Sequence, residues 1–223
     1  DTVISGNYIG TNATGTLAVP NARDGVRIAS SGNLVGGTAT GAGNVISGNA
    51  LAGVQLEGPD NDVQGNVIGM NATESVKIPN LTIGVRVLVG PANIGSTSLP
   101  GANVISGNGA SGVLVEKSAS GVTIVGNRIG TDRIGIVGWG NEAEGVVLDG
   151  DGNTVGGPTA AHGNVISGNG SSGILIYGDG NAVLSNLIGL NAPGVGAMAN
   201  DNGVDVRGAM NTIGAPGQGN TIS

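Results

Sequence analysis

Cysteine and phenylalanine are absent from this 223-residue chain, which carries one Trp and two Tyr. Without Cys there is no disulfide framework and no thiolate metal site. An ordinary globular core of this size fills its centre with aromatic rings. A core of Val, Ile and Leu alone has to be thin, which suits a solenoid better than a sphere. Charge is scarce too, at 10% of residues, and the net charge is −7. Nucleic acid and anionic membranes both need a cationic surface, so neither is an expected partner. No run approaches the roughly eighteen consecutive apolar residues of a membrane span. No signal peptide is visible, and the chain opens on Asp1 without an initiating Met.

What the chain has in abundance is glycine, 46 residues of it, together with asparagine. The glycines follow no three-residue period, which excludes collagen. Regularly placed β-branched aliphatics argue against disorder. One phrase recurs: Asn44-Val45-Ile46-Ser47-Gly48-Asn49 is repeated at residues 103–108 and 164–169. The related Gly-Asn-x-Ile-Gly phrase has its Asn at Asn7, Asn66, Asn127 and, with Ser185 in place of the leading Gly, Asn186. Together these define a tandem array with a period of about 60 residues, in which each period holds a short and a long half.

Both halves contain the same three phrases in order: Asn-x-Ile, Gly-Val-x-Leu/Val and Asn-x-Val. Each alternates with period two between Gly, Asn or Pro, which is a strand signature. Three short strands per unit without hairpin signals describe one turn of a three-sided coil whose strands stack in parallel. Ile9, Ile46, Ile68, Ile105, Ile129, Ile166, Ile188 and Ile222 are expected to point inward on the first face. Pairs such as Val54/Leu56 and Ile174/Ile176 do so on the second, and Val35, Val63, Ile94, Ile124, Val155, Val183 and Ile213 on the third. Asn columns are expected at the corners, where Asn tolerates left-handed backbone and its amide can bridge neighbouring coils. One runs from Asn7 and Asn44 to Asn220. Another comprises Asn33, Asn61, Asn93, Asn153, Asn181 and Asn211.

The fold class expected is therefore all-β: a single-stranded, right-handed, three-sided parallel β-helix of seven to eight coils. Residues 1–223 form one solenoid, read as a segment of a longer array. Handedness follows from the crossover rule for parallel strands. The phrases at residues 6–16 and 43–49 resemble repeats of large secreted or surface-anchored bacterial proteins, and the architecture resembles the pectate-lyase-like superfamily. That resemblance implies an asparagine ladder. It is silent on activity, because the superfamily holds lyases, epimerases, adhesins and stalks.

A lyase or hydrolase of this kind is expected to show clustered carboxylates with a basic neighbour on an outer face. The outward columns offer little of that. Glu116 and Asp149 fall on adjacent coils, and Arg86 lies diagonal to Glu57 and Glu116, in ion-pair reach. Asp149, Asp151 and Asp179 sit in two related Gly-rich turns. They read first as turn formers, with Ca²⁺ the one cation they could take, and no other cofactor is expected. Trp139 and Tyr177, with Glu116 and Asp149, are the carbohydrate-binding candidates. His162, the only His, sits in a turn without a partner. Asn12-Ala13-Thr14 and Asn71-Ala72-Thr73 match glycosylation acceptors but read as turns.

Long insertions at residues 12–24, 71–83, 132–144 and 191–202 recur on every second coil. They are expected to stand in a row about 10 Å apart, twice the strand spacing. The apolar outward column of the first face, from Val45 to Leu187, either lies beneath them or forms an exposed strip. The expected function is a non-catalytic extracellular stalk or adhesin-like module at the cell surface, presenting loops at fixed spacing. A carbohydrate-binding or polysaccharide-degrading β-helix and a self-assembling filament are the alternatives. The partners expected are a glycan or cell-surface molecule, or other copies of the chain.

Overall fold

The computed structural model describes residues 2–223, apart from the side chain of Leu99. The chain forms a parallel β-solenoid of about seven turns around three sheets. The first and third sheets have eight strands and the second has seven, and every ladder is parallel. One coil illustrates the path. Val45–Ile46 joins the first sheet, Val54–Leu56 the second and Asn61–Gln64 the third, before Val67–Ile68 re-enters the first. Pairing is in register, so Ile46 lies between Ile9 and Ile68, and Val63 between Val35 and Ile94.

Register converts the repeated phrases into columns of core atoms. Ile46, Ile68, Ile105, Ile129, Ile166 and Ile188 are fully buried. So are the second-sheet pairs from Val54/Leu56 to Ile174/Ile176, and the third-sheet residues from Val35 to Val183. All belong to one continuous apolar cluster. In the last strands the same columns open to solvent at Val206, Ile213 and Ile222. No ring larger than an aliphatic is needed, as the missing Phe implied.

Two asparagine ladders run through the described coils. In the first, each side-chain Oδ1 accepts from the side-chain amide of the preceding Asn, from Asn7–Asn44 to Asn186–Asn220. Rung separations of 22 and 37 residues record the short and long coils. The second ladder, not read as a column from the sequence, joins Asn21, Asn49, Asn80, Asn108, Asn141, Asn169 and Asn200. It alternates the last Asn of the repeated phrase with an Asn that closes each long loop.

The third column departs from expectation at Asn93. Ala92, not Asn93, pairs with Asn61, and Asn93 points outward to donate to Asp62 at 2.8 Å. The interior positions here are Ala92 and Val122, which extend the apolar core where the ladder lapses. The four-residue strand Ala92–Gly95 starts one residue before its Asn, so the Asn falls on the outer pleat.

Candidate functional site

Alternation along each strand decides which side chains can face a ligand, and the outer face of the second sheet carries a series of ion pairs. Arg27 forms a two-pronged ion pair with Glu57 at 2.6 and 2.7 Å. This pairing holds the Glu57 carboxyl below its ordinary range, with burial opposing and the Gln55 amide assisting. Arg86 pairs with Glu116 at 2.6 Å, not with Glu57. Arg207 binds Asp205, donates to the Tyr177 hydroxyl at 2.9 Å and places its guanidinium 5.1 Å from the Tyr177 ring centre. One face of the Tyr177 ring is thus already occupied.

Tyr177 and the aspartates do meet. Asp149, Asp151, Asp179, Tyr177 and Lys117 line a shallow groove of about 500 Å³ at the second-to-third corner. Burial first, and the neighbouring Glu116 second, push the Asp149 carboxyl above its ordinary range. The two turn aspartates are engaged structurally. Asp151 accepts the Asp179 N–H at 2.7 Å, and Asp179 accepts the Ala209 N–H at 2.6 Å. Each carboxylate therefore caps the following turn. Among the described residues no three acidic or His side chains are grouped to hold a metal ion.

Trp139 lies elsewhere and does not join this groove. It is half-buried, packed against the Val45, Val67 and Met70 cluster over the first sheet. Its N–H bonds Gly130 O, as those of Val19, Ile78 and Met198 bond Gly10, Gly69 and Gly189. Trp139 is one member of an apolar column closing the long loops. The signal was legible, since all four equivalents are apolar.

The repeated serines are sealed as well. Ser47, Ser106 and Ser167 donate to the carbonyls of Met70, Thr131 and Leu190, and Ser47 and Ser106 accept from Gly69 and Gly130. The His162 ring bonds only the Thr159 hydroxyl.

The long loops are ordered and cover the first sheet. In each, an Asn or Asp oxygen accepts two later amides: Asn12 from Thr16 and Leu17, Asn71 from Ser75 and Val76, Asp132 from Ile136 and Val137, and Asn191 from Val195 and Gly196. The acceptor-motif Asn residues thus serve as turn caps. Val45, Val67, Val104 and Val165 are buried, so most of the apolar column lies beneath cover rather than forming an open strip. Neighbouring loops are also bonded to one another. Ala72 N–H bonds Gly15 O, Ala192 N–H bonds Gly135 O, and Glu74 binds the Arg133 amide and guanidinium at 2.8 Å each.

Between these loops and the third-to-first corners runs a groove along the first sheet. Arg133 reaches from the loop row toward Ala102 O at 3.4 Å and lines the first stretch of about 450 Å³. Arg128 lines the second stretch, of about 620 Å³.

With this geometry the class of the molecule is a three-sheet parallel β-solenoid with asparagine ladders and a cross-linked loop row. No protein-family profile, curated protein or solved structure matches the chain.

Proposed function

We propose that the chain is a rigid structural module of an extracellular bacterial protein, a stalk or adhesin-like rod that holds four joined loops in a fixed row. The observation carrying this reading is where its polar side chains are spent. The repeated serines, the ladder asparagines and the turn aspartates all bond backbone or neighbouring coils. Chemistry on a substrate needs groups that are free and convergent. Stacked nearest-neighbour contacts instead give a stiff body whose length grows with coil number. The loop row supplies the varied surface, and a cell-surface glycan is the partner class it would meet.

The test joins mechanics to chemistry. Small-angle scattering on tandem fusions should show length rising by about 10 Å per added 60-residue period. Neutral and acidic polysaccharides should not be cleaved. Turnover lost in Asp149→Ala would place an active centre in the Tyr177 groove and overturn the structural reading.

A further inference from the structure

Arg128 stands out among the described cations. Its equivalents on the neighbouring strands are Val104 and Val165, followed by Leu187. Its Nε is buried with no hydrogen-bond partner. Its guanidinium also forms none of the ion pairs that engage Arg27, Arg86, Arg133 and Arg207. The loop of its own coil covers it, because a Cβ on Gly135 would come within 3.3 Å of Nε. Asp132 is an acid whose field reaches it, but that carboxylate already accepts the Ile136 and Val137 amides. Burial pushes the guanidinium pKa down, as expected for a charge short of a counter-ion.

Arg128 also lines a cleft of about 620 Å³, within the range of small-ligand pockets. No carboxylate contributes to its lining, although acids outnumber bases in the chain. Hydroxyls do: Ser96, Thr97 and Ser98 on one wall, with Ser185 and Thr221 further along. An unpaired half-buried guanidinium beside several hydroxyl donors suits a compact oxyanion, since Arg binds carboxylate and sulfate through paired N–H donors.

We propose that this cleft binds an oxyanion, a carboxylate or sulfate, with Arg128 as its counter-ion, carried either by a free ion or by an acidic saccharide lying along the first sheet. The site is independent of the Tyr177 groove and adds a ligand to the structural role.

Titration calorimetry tests it with three probes: sodium sulfate, a glucuronate-containing oligosaccharide, and a neutral oligosaccharide of equal length. Arg128→Leu matches its column neighbours and should fold, which circular dichroism checks. The wild type should bind at least one acidic probe saturably and the neutral one not at all. Arg128→Leu should weaken that binding by more than about tenfold, the expected loss of a charge-assisted pair. Arg23→Gln, at an exposed site, should leave it unchanged. Oligosaccharide binding that sulfate competes away makes a chain-borne group the occupant. Sulfate binding without uronate uptake makes it a free ion. Failure of both acidic probes, affinity that survives Arg128→Leu, or equal loss in Arg23→Gln overturns the proposal.

Discussion

Two asparagines, Asn80 buried and Asn93 exposed, show how much depends on where the side chain points. Asn80 is fully buried; its amide donates to Ile46 O and Asn108 Oδ1, and its oxygen accepts the Asn49 amide and backbone N–H. Asn80→Ala orphans buried groups on both sides and should cost about 2–5 kcal/mol, at roughly 1–3 per orphaned group. Asn80→Asp should cost more at neutral pH, because a carboxylate cannot donate to those two oxygens. Asn93 is exposed, and Asn93→Ala should change stability by no more than about 0.5 kcal/mol. Urea unfolding of the three variants checks the order. Asp149 gives a pH signature. Its folded pKa is raised by burial and by Glu116, so the native state binds its proton more tightly than the unfolded chain does. Stability from this group is therefore present at low pH and lost as pH rises through the ordinary carboxylate range and the raised value above it. Asp149→Asn should melt higher than wild type at pH 7, and the difference should shrink on acidification. A melting temperature for Asp149→Asn below wild type at pH 7 would refute this account of the groove.

The long loops were visible in the sequence as insertions, but their order was not. Period-two alternation marks strands because burial enforces it, whereas the joining of the loops comes from contacts between residues 57 to 59 positions apart, such as Ala72 with Gly15 and Arg133 with Glu74. No local pattern encodes those. The second ladder escaped for a related reason: its rungs come alternately from the repeated phrase and from the end of a loop, so they share no flanking motif. Glu74 shows how one loop differs from its siblings. It occupies a left-handed position, φ 54°, where the other three copies have Gly15, Gly135 and Gly194. That conformation costs a non-glycine residue roughly 1 kcal/mol. The carboxylate offsets the strain by bonding Arg133. Glu74→Ala keeps the strain and loses the bonds; Glu74→Gly loses both. Chemical denaturation should therefore find Glu74→Ala less stable than Glu74→Gly by about 1 kcal/mol. Equal stabilities would mean that the turn is not strained.

At the scale of the whole solenoid, the alternation of short and long coils is itself a structural rule. In short coils the first-sheet Ile is followed by Ser, and in long coils by Gly. Ser47 Oγ accepts the Gly69 N–H and donates to Met70 O, tying a short coil to the long one after it. Gly69 in turn has φ 94°, and a Cβ there would collide with the backbone carbonyl of Ser106 in the following short coil. The two coil types are complementary at this corner, so the unit that can be removed is the pair, not the single coil. Deleting residues 44–102 joins Gly43 to Asn103, preserves the first ladder and keeps a Ser coil between Gly coils. It also leaves the loops at 12–24 and 132–144 two strand spacings apart. That shortened chain should fold, retain its parallel-sheet circular dichroism and be shorter by about 10 Å in solution scattering. Deleting only residues 44–65 joins Gly43 to Asn66 and also satisfies the first ladder. It sets Gly10 against Gly69 without the intervening Ser, and crowds two long loops onto coils about 4.8 Å apart. Although it removes fewer residues, this second variant should be the less stable, with a lower melting temperature and weaker amide protection in the loops. If the single-coil deletion matched or exceeded the full-period deletion in stability, the paired coil would not be the repeating unit of the fold.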